Sequence, residues 1–377
     1  MGTKEAIKGA LVMASVWFAV HAGGGFATGN QEVNYYVKFG WYSLFLPVLA
    51  MLIVGWGHRN ALIIVKDYKT YDYKSFCNVL FHPYEKFFSP LFELSFIFLA
   101  FFAISASIAA AGALLESVLG ISYGVAIVII GLILIFLTIF GSAFVAKVLS
   151  YQSYFLIGTL LLIALAGVYA GLPNLQNLVA TRETFGHSFA EAAWSAMLYV
   201  GFQSFAVLPI ISVAHRVKSD KECNWFMVFG VILNGLFLAL ICAMLFAFAP
   251  ESLKETLPVY YVSKMHLNVP FLQLFYNFII FIALISTVLS MLYSLVVRFE
   301  SLIRKKGWVN DAKVSRAIVT VIILVLCTMI STLGLTTIVV KGYGALGYIG
   351  ILLVLLPEIV VGTIKIRNRR KEEMGNV

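Results

Sequence analysis

Long apolar runs separated by short polar segments extend from about residue 9 to residue 364 of the chain. Each run is close to the roughly 20 apolar residues that a helix needs to cross the hydrocarbon core of a bilayer. The pattern predicts ten membrane-spanning helices, at about 9–37, 41–65, 88–116, 121–139, 144–170, 189–215, 223–249, 269–297, 314–336 and 342–364. We therefore expect an all-α integral membrane protein that forms a single domain over residues 1–377.

The composition agrees with this class, because 61% of the 377 residues are hydrophobic and only 12% are charged. Soluble domains carry about 25% charged residues, so water is not the expected main solvent. The formal net charge of +9 could suggest a nucleic-acid partner. The basic residues, however, occupy short segments between apolar runs, where they act as topology signals. We expect surrounding lipid and no nucleic acid.

The distribution of basic residues predicts the orientation of the chain. Ten spans place both termini on one side of the membrane. Only five of the 27 Lys and Arg residues fall in segments on the opposite side: Lys38, Arg182, Lys254, Lys264 and Lys341. Short cytoplasmic loops carry such an excess of positive charge. The N-terminus and the basic tail 365–377 are therefore predicted to be cytoplasmic.

Motifs of catalysis are absent from the sequence, which contains no HExxH, GxSxG or phosphate-cradling loop. The four cysteines show no CxxC spacing, so neither a metal cluster nor a disulfide framework is indicated. We expect no enzymatic activity, no cofactor and no obligatory protein partner. A small-molecule solute is the expected ligand of such a chain.

Three consecutive glycines, Gly23, Gly24 and Gly25, interrupt the first predicted span. Glycine favours unwinding, and unwound backbone is tolerated inside a bilayer only where it lines a cavity or meets a ligand. The freed carbonyl groups suit a cation, and the amides up to Phe26 suit an anionic group of a substrate that also reaches Thr28. The alternative is a glycine face for close helix packing.

The sixth predicted span contains Gly201 at a comparable place, flanked by Tyr199 and by Phe202, Gln203 and Ser204. A break here would add a polar pair, Gln203 and Ser204, and an aromatic wall to the same substrate site. One glycine is weaker support than three, and packing of the aromatic residues in the core explains the same pattern.

Gly23 and Gly201 are 178 residues apart, and the same offset carries the third predicted span onto the eighth. This correspondence predicts two repeats of five helices, over residues 5–171 and 187–367. Because five is odd, the second repeat is inverted relative to the first, and helices 1 and 6 are the expected broken helices.

In the eighth span, Ala283, Ser286 and Thr287 share one helix face. Two hydroxyl groups beside a backbone carbonyl group provide hard oxygen ligands for a small cation such as sodium. The stripe continues through Ser290 and Ser294, which also agrees with a packing face of small residues.

Ionisable residues inside spans are costly and are therefore functional candidates. His21 lies beside the first break and Glu32 in the outer half of the first span, where either could relay protons or contact an amine. A structural partnership explains each of them at least as well, and so does an interfacial position for Glu32 and for Glu93 in the third span. Three further residues near cytoplasmic span ends are expected to reach water and are given no role: Lys147, Glu300 and Glu358.

The break Gly23–Phe26 followed by Ala27–Glu32 resembles the first-helix signature of YkvI-like bacterial membrane proteins, a group within the amino acid-polyamine-organocation superfamily. The resemblance extends over essentially the whole chain. It implies the five-plus-five inverted repeat, with substrate held between broken helices 1 and 6. It also implies a bacterial cytoplasmic membrane as the location.

In sodium-coupled members of this superfamily, sodium lies between first-helix carbonyl groups and an alanine followed three and four residues later by serine or threonine. The resemblance places these carbonyl groups at Ala19 and Ala22, and the second half of the site at Ala283, Ser286 and Thr287. Some proton-coupled members carry a fifth-helix lysine at this site, a position that Lys147 is not expected to reach.

The predicted function is secondary active transport, sodium-coupled symport of an amino acid or a related small zwitterion or amine by alternating access. Three alternatives remain open: a proton-coupled carrier, a ligand-sensing subunit like those of spore germination receptors, and a passive channel.

Overall fold

The computed structural model describes residues 3–140, 142–307 and 311–375, and these residues form helices joined by short turns. The α-helices are α1 Thr3–His21, α2 Gly24–Ala27, α3 Asn30–Tyr35, α4 Leu46–Tyr68, α5 Tyr73–Phe81, α6 Glu85–Leu119, α7 Tyr123–Phe140, α8 Ser142–Ala170, α9 Leu172–Ala180, α10 Phe189–Gln203, α11 Val207–Val213, α12 Asp220–Val231, α13 Phe237–Ala247, α14 Pro258–Val262, α15 Pro270–Lys305, α16 Ala312–Ser331, α17 Leu335–Thr337, α18 Gly344–Gly350 and α19 Gly362–Gly375. The side chain of Lys147, which was given no role, lies outside the described part.

Tighter and wider turns connect several of these helices. The 3₁₀ turns are Val37–Leu44, Ser204–Ala206, Ala214–Arg216 and Glu251–Lys254. The π turns are Ile232–Leu236, Ser263–Leu267, Ile338–Tyr343, Ile351–Leu355 and Pro357–Val361.

Seven helical runs in the described part of the chain are long and apolar enough to cross a membrane. They are Leu46–Tyr68, Glu85–Leu119, Phe189–Arg216, Asp220–Ala247, Pro270–Lys305, Lys313–Ser331 and Leu335–Glu372. An eighth crossing would come from Phe155–Ala170 and Leu172–Ala180, which are bent by 69° at their junction. The all-α membrane class is thus confirmed, whereas ten spans and the inverted repeat stay predictions.

The first predicted span is interrupted as its glycines suggest. Helix α1 ends at His21, α2 contains only four residues, and α3 begins after Gly29, whose φ of 82° lies in the left-handed region that favours glycine. The sequence Gly23-Gly24-Gly25 lacks the side-chain contacts that would hold a continuous helix in place. The first span is therefore interrupted twice, once before and once after α2.

The predicted break at Gly201 is wrong, because α10 continues through this residue and only tightens to a 3₁₀ turn at Ser204–Ala206. Gly201 instead allows close helix packing. A Cβ atom at Gly201 would overlap the carbonyl oxygen of Gly347 in α18, and one at Gly350 would overlap the carbonyl oxygen of Gly201. Gly201 is therefore a site of close contact between two helix backbones, a role that neither the predicted break nor the alternative of aromatic packing described.

Charged side chains join the ends of three helices on one side of the molecule, here named the basal face and defined by Lys66, Asp67, Asp220, Arg369 and Arg370. The Lys66 ammonium lies 2.7 Å and the Arg370 guanidinium 2.6 Å from the Asp220 carboxylate, and Arg369 lies 3.4 Å from Asp67. The ion pairs therefore hold the ends of α4 and α19 and the start of α12 on this face.

Candidate functional site

A cavity of about 600 Å³ lies between the first helix break and α15. Its lining includes Ala19, Val20, Ala22 and Gly23 from the break, Leu208, Pro209 and Ser212 from α11, and Ala283, Ser286, Thr287, Ser290, Ser294 and Arg298 from α15. All five residues predicted for a cation site line this one cavity. Residues from opposite halves of the sequence therefore meet at the first break.

At the deep end of the cavity, the hydroxyl groups of Ser286 and Thr287 both donate to the carbonyl oxygen of Ala283, each over 3.0 Å. Gly23 lies directly opposite, since a Cβ atom on it would lie 3.7 Å from the Thr287 hydroxyl oxygen. Ala19 belongs to the last turn of α1. Carbonyl groups in the last turn of a helix have no hydrogen-bond donor within the same helix. Oxygen atoms from two helices thus approach one another here.

The mouth of the cavity lies near the end of α4, on the side of the basal face. Arg298 lines it and is paired with Glu93 over 2.7 Å, while its guanidinium lies 4.4 Å from the centre of the Phe96 ring. Asp72 also lines the mouth and caps α5 by accepting hydrogen bonds from Ser75. These hydrogen bonds hold the pKa of Asp72 below its usual range, so the mouth carries a negative charge at neutral pH.

The glycine-rich half of the predicted substrate site reaches the cavity only at Gly23. Phe26 is buried away from it, between His21 and Phe237, at ring-centre distances of 5.0 and 5.7 Å. The Thr28 hydroxyl donates to the carbonyl oxygen of Gly25 over 2.8 Å. In this conformation, Phe26 packs between α1 and α13, and Thr28 bonds within the break itself.

The four residues predicted from the sixth span do not line the cavity. Phe202 stacks on Tyr343 with ring centres 4.7 Å apart. The Ser204 hydroxyl donates to the carbonyl oxygen of Gly201 over 2.6 Å, and Gln203 is buried. The structure thus separates Phe202, Gln203 and Ser204 from the cavity, and Phe202 and Ser204 lie against the last helices.

Tyr199, the fourth of these residues, bonds His21 instead. Its hydroxyl oxygen lies 2.8 Å from His21 Nε2, and Asn234 Oδ1 lies 2.8 Å from His21 Nδ1. Asn234 donates through its own amide nitrogen to the carbonyl oxygen of Gly230, which leaves its oxygen to accept from His21. A neutral His21 then accepts from Tyr199, and both ring nitrogens are satisfied.

Glu32 is fully buried, and neither carboxylate oxygen has a hydrogen-bond partner in the described ranges 3–140, 142–307 and 311–375. Four groups lie close enough to interact with its charge: Tyr36, Tyr199, Cys242 and Tyr276. A buried carboxylate without partners is strongly disfavoured as an anion. Glu32 is therefore best accommodated as a neutral carboxylic acid.

Two carboxylates that were expected to reach water, Glu300 and Glu358, are buried instead. Glu300 lies 2.6 Å from the Arg316 guanidinium, and Glu358 lies beside His58. The expectation is wrong for Glu358 because α4 packs closely against its carboxyl group at Gly57 and His58. The place of Glu358 inside the last apolar run was the available signal. Glu93 is paired with Arg298.

Comparison with known proteins shows which family the chain resembles. Residues 69–375 match the family described as amino acid permease. A curated relative, the uncharacterized membrane protein YkvI of Bacillus subtilis (strain 168), is 24% identical over 306 residues, which cover 78% of this chain and 82% of the relative.

Among solved structures, the inward-facing conformation of Mhp1 is 14% identical, with 95% of this chain and 91% of Mhp1 covered and a TM-score of 0.49. A manganese transporter of Eremococcus coleocola in complex with an aromatic bis-isothiourea substituted compound is 12% identical, with 96% and 87% covered and a TM-score of 0.42. The family match, which spans most of the chain, identifies a membrane transporter rather than an enzyme. The chain belongs to the amino acid permease family.

Proposed function

We propose that this chain is a secondary active transporter that couples the symport of an amino acid, or a related small zwitterion or amine, to sodium by alternating access. The observation that carries the proposal is the meeting of Ala19, Ala22, Ala283, Ser286 and Thr287 on one cavity. Backbone carbonyl and hydroxyl oxygens are the hard ligands that a small alkali cation requires. The helix break supplies the carbonyl oxygens, and α15 supplies the hydroxyl oxygens.

The proposed sodium ion is held at the deep end of the cavity. Its hydroxyl ligands would be the oxygens of Ser286 and Thr287, whose protons are donated to the carbonyl oxygen of Ala283. The carbonyl groups of Ala19 and Ala22 approach from the end of α1. Sodium at this place would join α1 to α15 and thereby change the position of the first helix.

The proposed substrate lies next to this ion, on the cavity side of Gly23. Its anionic group is directed to the amides of Gly24, Gly25 and Phe26. Serine hydroxyl groups along α15 and α11 form a polar path from the mouth to this point. Tyr199, Phe202, Gln203 and Ser204 would contact substrate only in another state of the transport cycle, because they lie outside the cavity here.

The cavity opens on the side of the basal face. We propose that this face is cytoplasmic in a bacterial cytoplasmic membrane, since α1 begins and α19 ends there and basic residues concentrate on this side. The conformation is then open to the inside.

The proposal is tested by the thermal stability of purified protein in sodium, potassium or choline chloride, with and without a panel of amino acids and amines. A ligand that binds the folded state raises the melting temperature by mass action. We expect a sodium-specific rise that increases further with one substrate class. Ser286→Ala with Thr287→Ala should abolish the sodium effect, while Ser294→Ala, on the same stripe nearer the mouth, should retain it. Sodium dependence that survives the double substitution contradicts the site.

Proton coupling is a second candidate, favoured by the buried and unpartnered Glu32. In this case uptake into liposomes follows an imposed proton gradient without sodium, and Glu32→Gln abolishes that uptake while the variant still binds substrate. Uptake driven by sodium alone and retained in Glu32→Gln excludes this candidate.

A further inference from the structure

His58 of α4 and Glu358 of the π turn Pro357–Val361 meet inside the protein, with His58 Nδ1 3.5 Å from Glu358 Oε2. Both side chains are fully buried. Within the described part of the chain, none of the four polar atoms of the two side chains has a hydrogen-bond partner. The pair lies outside the cavity, so neither the proposed sodium nor the proposed substrate uses it.

The pair is closely packed on two sides. The indole of Trp17 packs edge-on against the His58 ring at 5.2 Å between ring centres. A Cβ atom on Gly57 would lie 2.6 Å from Glu358 Oε2, which shows how closely α4 approaches the carboxylate. A metal cation needs several oxygen ligands, and no group of residues that could hold one is found in the described part of the chain. A proton needs only the carboxylate or the imidazole as its acceptor.

Other ionisable groups near the pair do not compensate its charge. Besides His58, Cys77 of α5 is a titratable group that faces Glu358. Arg59, the neighbour of His58 in α4, turns away and donates to Asn224 over 2.7 Å. The charged groups on the packed helices have partners of their own: Glu93 with Arg298, Asp72 with Ser75, Lys66 and Arg370 with Asp220, and Glu222 with the Lys218 amide.

The proton content of the pair follows from these surroundings. With one proton, the two side chains together carry no net charge, either as an ion pair or as neutral imidazole and carboxylic acid. With no proton or with two, a net charge remains buried without compensation, which costs several kcal/mol in real proteins. A single proton is therefore retained by the folded protein over a wide range of pH.

We propose that His58 and Glu358 form a binding site for one proton, and that this proton holds the last helical run and α1 against α4 in the cavity-open state. Trp17 links the pair to α1, because it contacts His58 and lies two positions before the cavity-lining residue Ala19 in the chain. The site itself does not depend on the proposed transport. Its effect on the cavity rests on the proposed alternating access.

The first test is the pH dependence of thermal stability between pH 7 and pH 9. The folded wild type holds one proton on the pair, whereas an unfolded chain holds only a small fraction of a proton on these side chains at pH 7 and almost none at pH 9. The pair therefore contributes up to a tenfold rise of the unfolding equilibrium constant per pH unit, besides the contribution of the neutral Glu32, and the melting temperature falls as the pH rises.

Two single substitutions separate this proposal from a merely structural contact. In Glu358→Gln no carboxylate remains, His58 is neutral, and this part of the pH dependence disappears. In His58→Gln the buried carboxyl group still requires a proton, so the dependence remains. Glu93→Gln is the matched control at a half-exposed pair and leaves the slope unchanged. Equal slopes in wild type and Glu358→Gln overturn the proposal, whatever the result of the sodium experiment.

The second test follows the cavity at a single pH. Ser212→Cys places a thiol in the cavity, and Ser301→Cys places one on the exposed end of α15, while the described native cysteines are buried. We expect the ratio of maleimide labelling rates at pH 7, cavity to control, to fall at least threefold when Glu358→Leu removes the proton site. An equal ratio with and without Glu358→Leu overturns the link between the proton and the cavity-open state, while the stability slope still decides the proton site.

Discussion

His21 and Tyr199 are joined by a hydrogen bond of 2.8 Å and stand 178 residues apart, the same offset that separates Gly23 from Gly201. Residues that correspond under a two-fold relationship meet only at its axis. A direct bond between two such residues is therefore what an inverted repeat predicts at its centre. The contact supports the repeat by a route that is independent of counting spans.

Removal of the Tyr199 hydroxyl should destabilise the protein measurably. In Tyr199→Phe the Nε2 atom of His21 loses its partner inside the core, and an unsatisfied buried polar atom costs about 1–3 kcal/mol. We expect a lower melting temperature in detergent for this variant. Tyr293→Phe, at an exposed tyrosine, is the control and should melt like the wild type. Equal melting of both variants would show that the bond contributes no stability.

Gly201→Ala should destabilise the protein by at least about 1–3 kcal/mol, the usual cost of overpacking. The added methyl group would overlap the backbone of Gly347 and also the side chain of Ile351, and the Gly347 backbone cannot rotate away as a side chain can. Gly124→Ala is the control, since a Cβ atom there meets nothing within 4 Å. Alanine favours a helix over glycine by about 1 kcal/mol, so this control should match or exceed wild-type stability. A tolerated Gly201→Ala would contradict the close crossing.

Asp72 should contribute a pH-dependent stabilisation of the cavity mouth. Its pKa is lower in the folded protein than the ordinary value of about 3.9, because Ser75 donates hydrogen bonds to the carboxylate. The contribution is complete above the ordinary value and is lost as pH falls through the lower folded value. Asp72→Ala should cost about 1 kcal/mol at pH 7, as for other helix caps. The difference from wild type should shrink below pH 4, and a constant difference would argue against the cap.

Trp17→Ala should be among the most damaging single changes, at about 3–5 kcal/mol, because the buried indole leaves a large void. Gly55 and Gly230 lie close around the ring and cannot fill the space. Trp17→Phe keeps part of the packing and should lose clearly less. Similar melting temperatures for both variants would contradict this account.

The features that could be predicted from sequence are those set by neighbouring residues. Three consecutive glycines weaken a helix wherever it lies, so the break near Gly23 was predictable. The spacing of Ala283, Ser286 and Thr287 puts them on one face of any helix, so their common exposure to a cavity was also predictable.

The remaining features depend on distant contacts. A lone glycine such as Gly201 serves either unwinding or close packing, and only the presence of Gly347 decides between them. The burial of Glu358 likewise depends on His58, which lies 300 residues earlier in the chain. Local patterns carry no information about such partners.

The crossing of Gly201 with Gly347 also determines which parts of the molecule can move. Two helices that touch through their backbones cannot slide or separate without losing the contact along its whole length. Tyr199 and Phe202 then travel with the last helices as one rigid piece. Between α1 and α15 there is no such crossing at the cavity, because hydroxyl groups and the glycine-rich break face open space there, so these two helices can change their relative position.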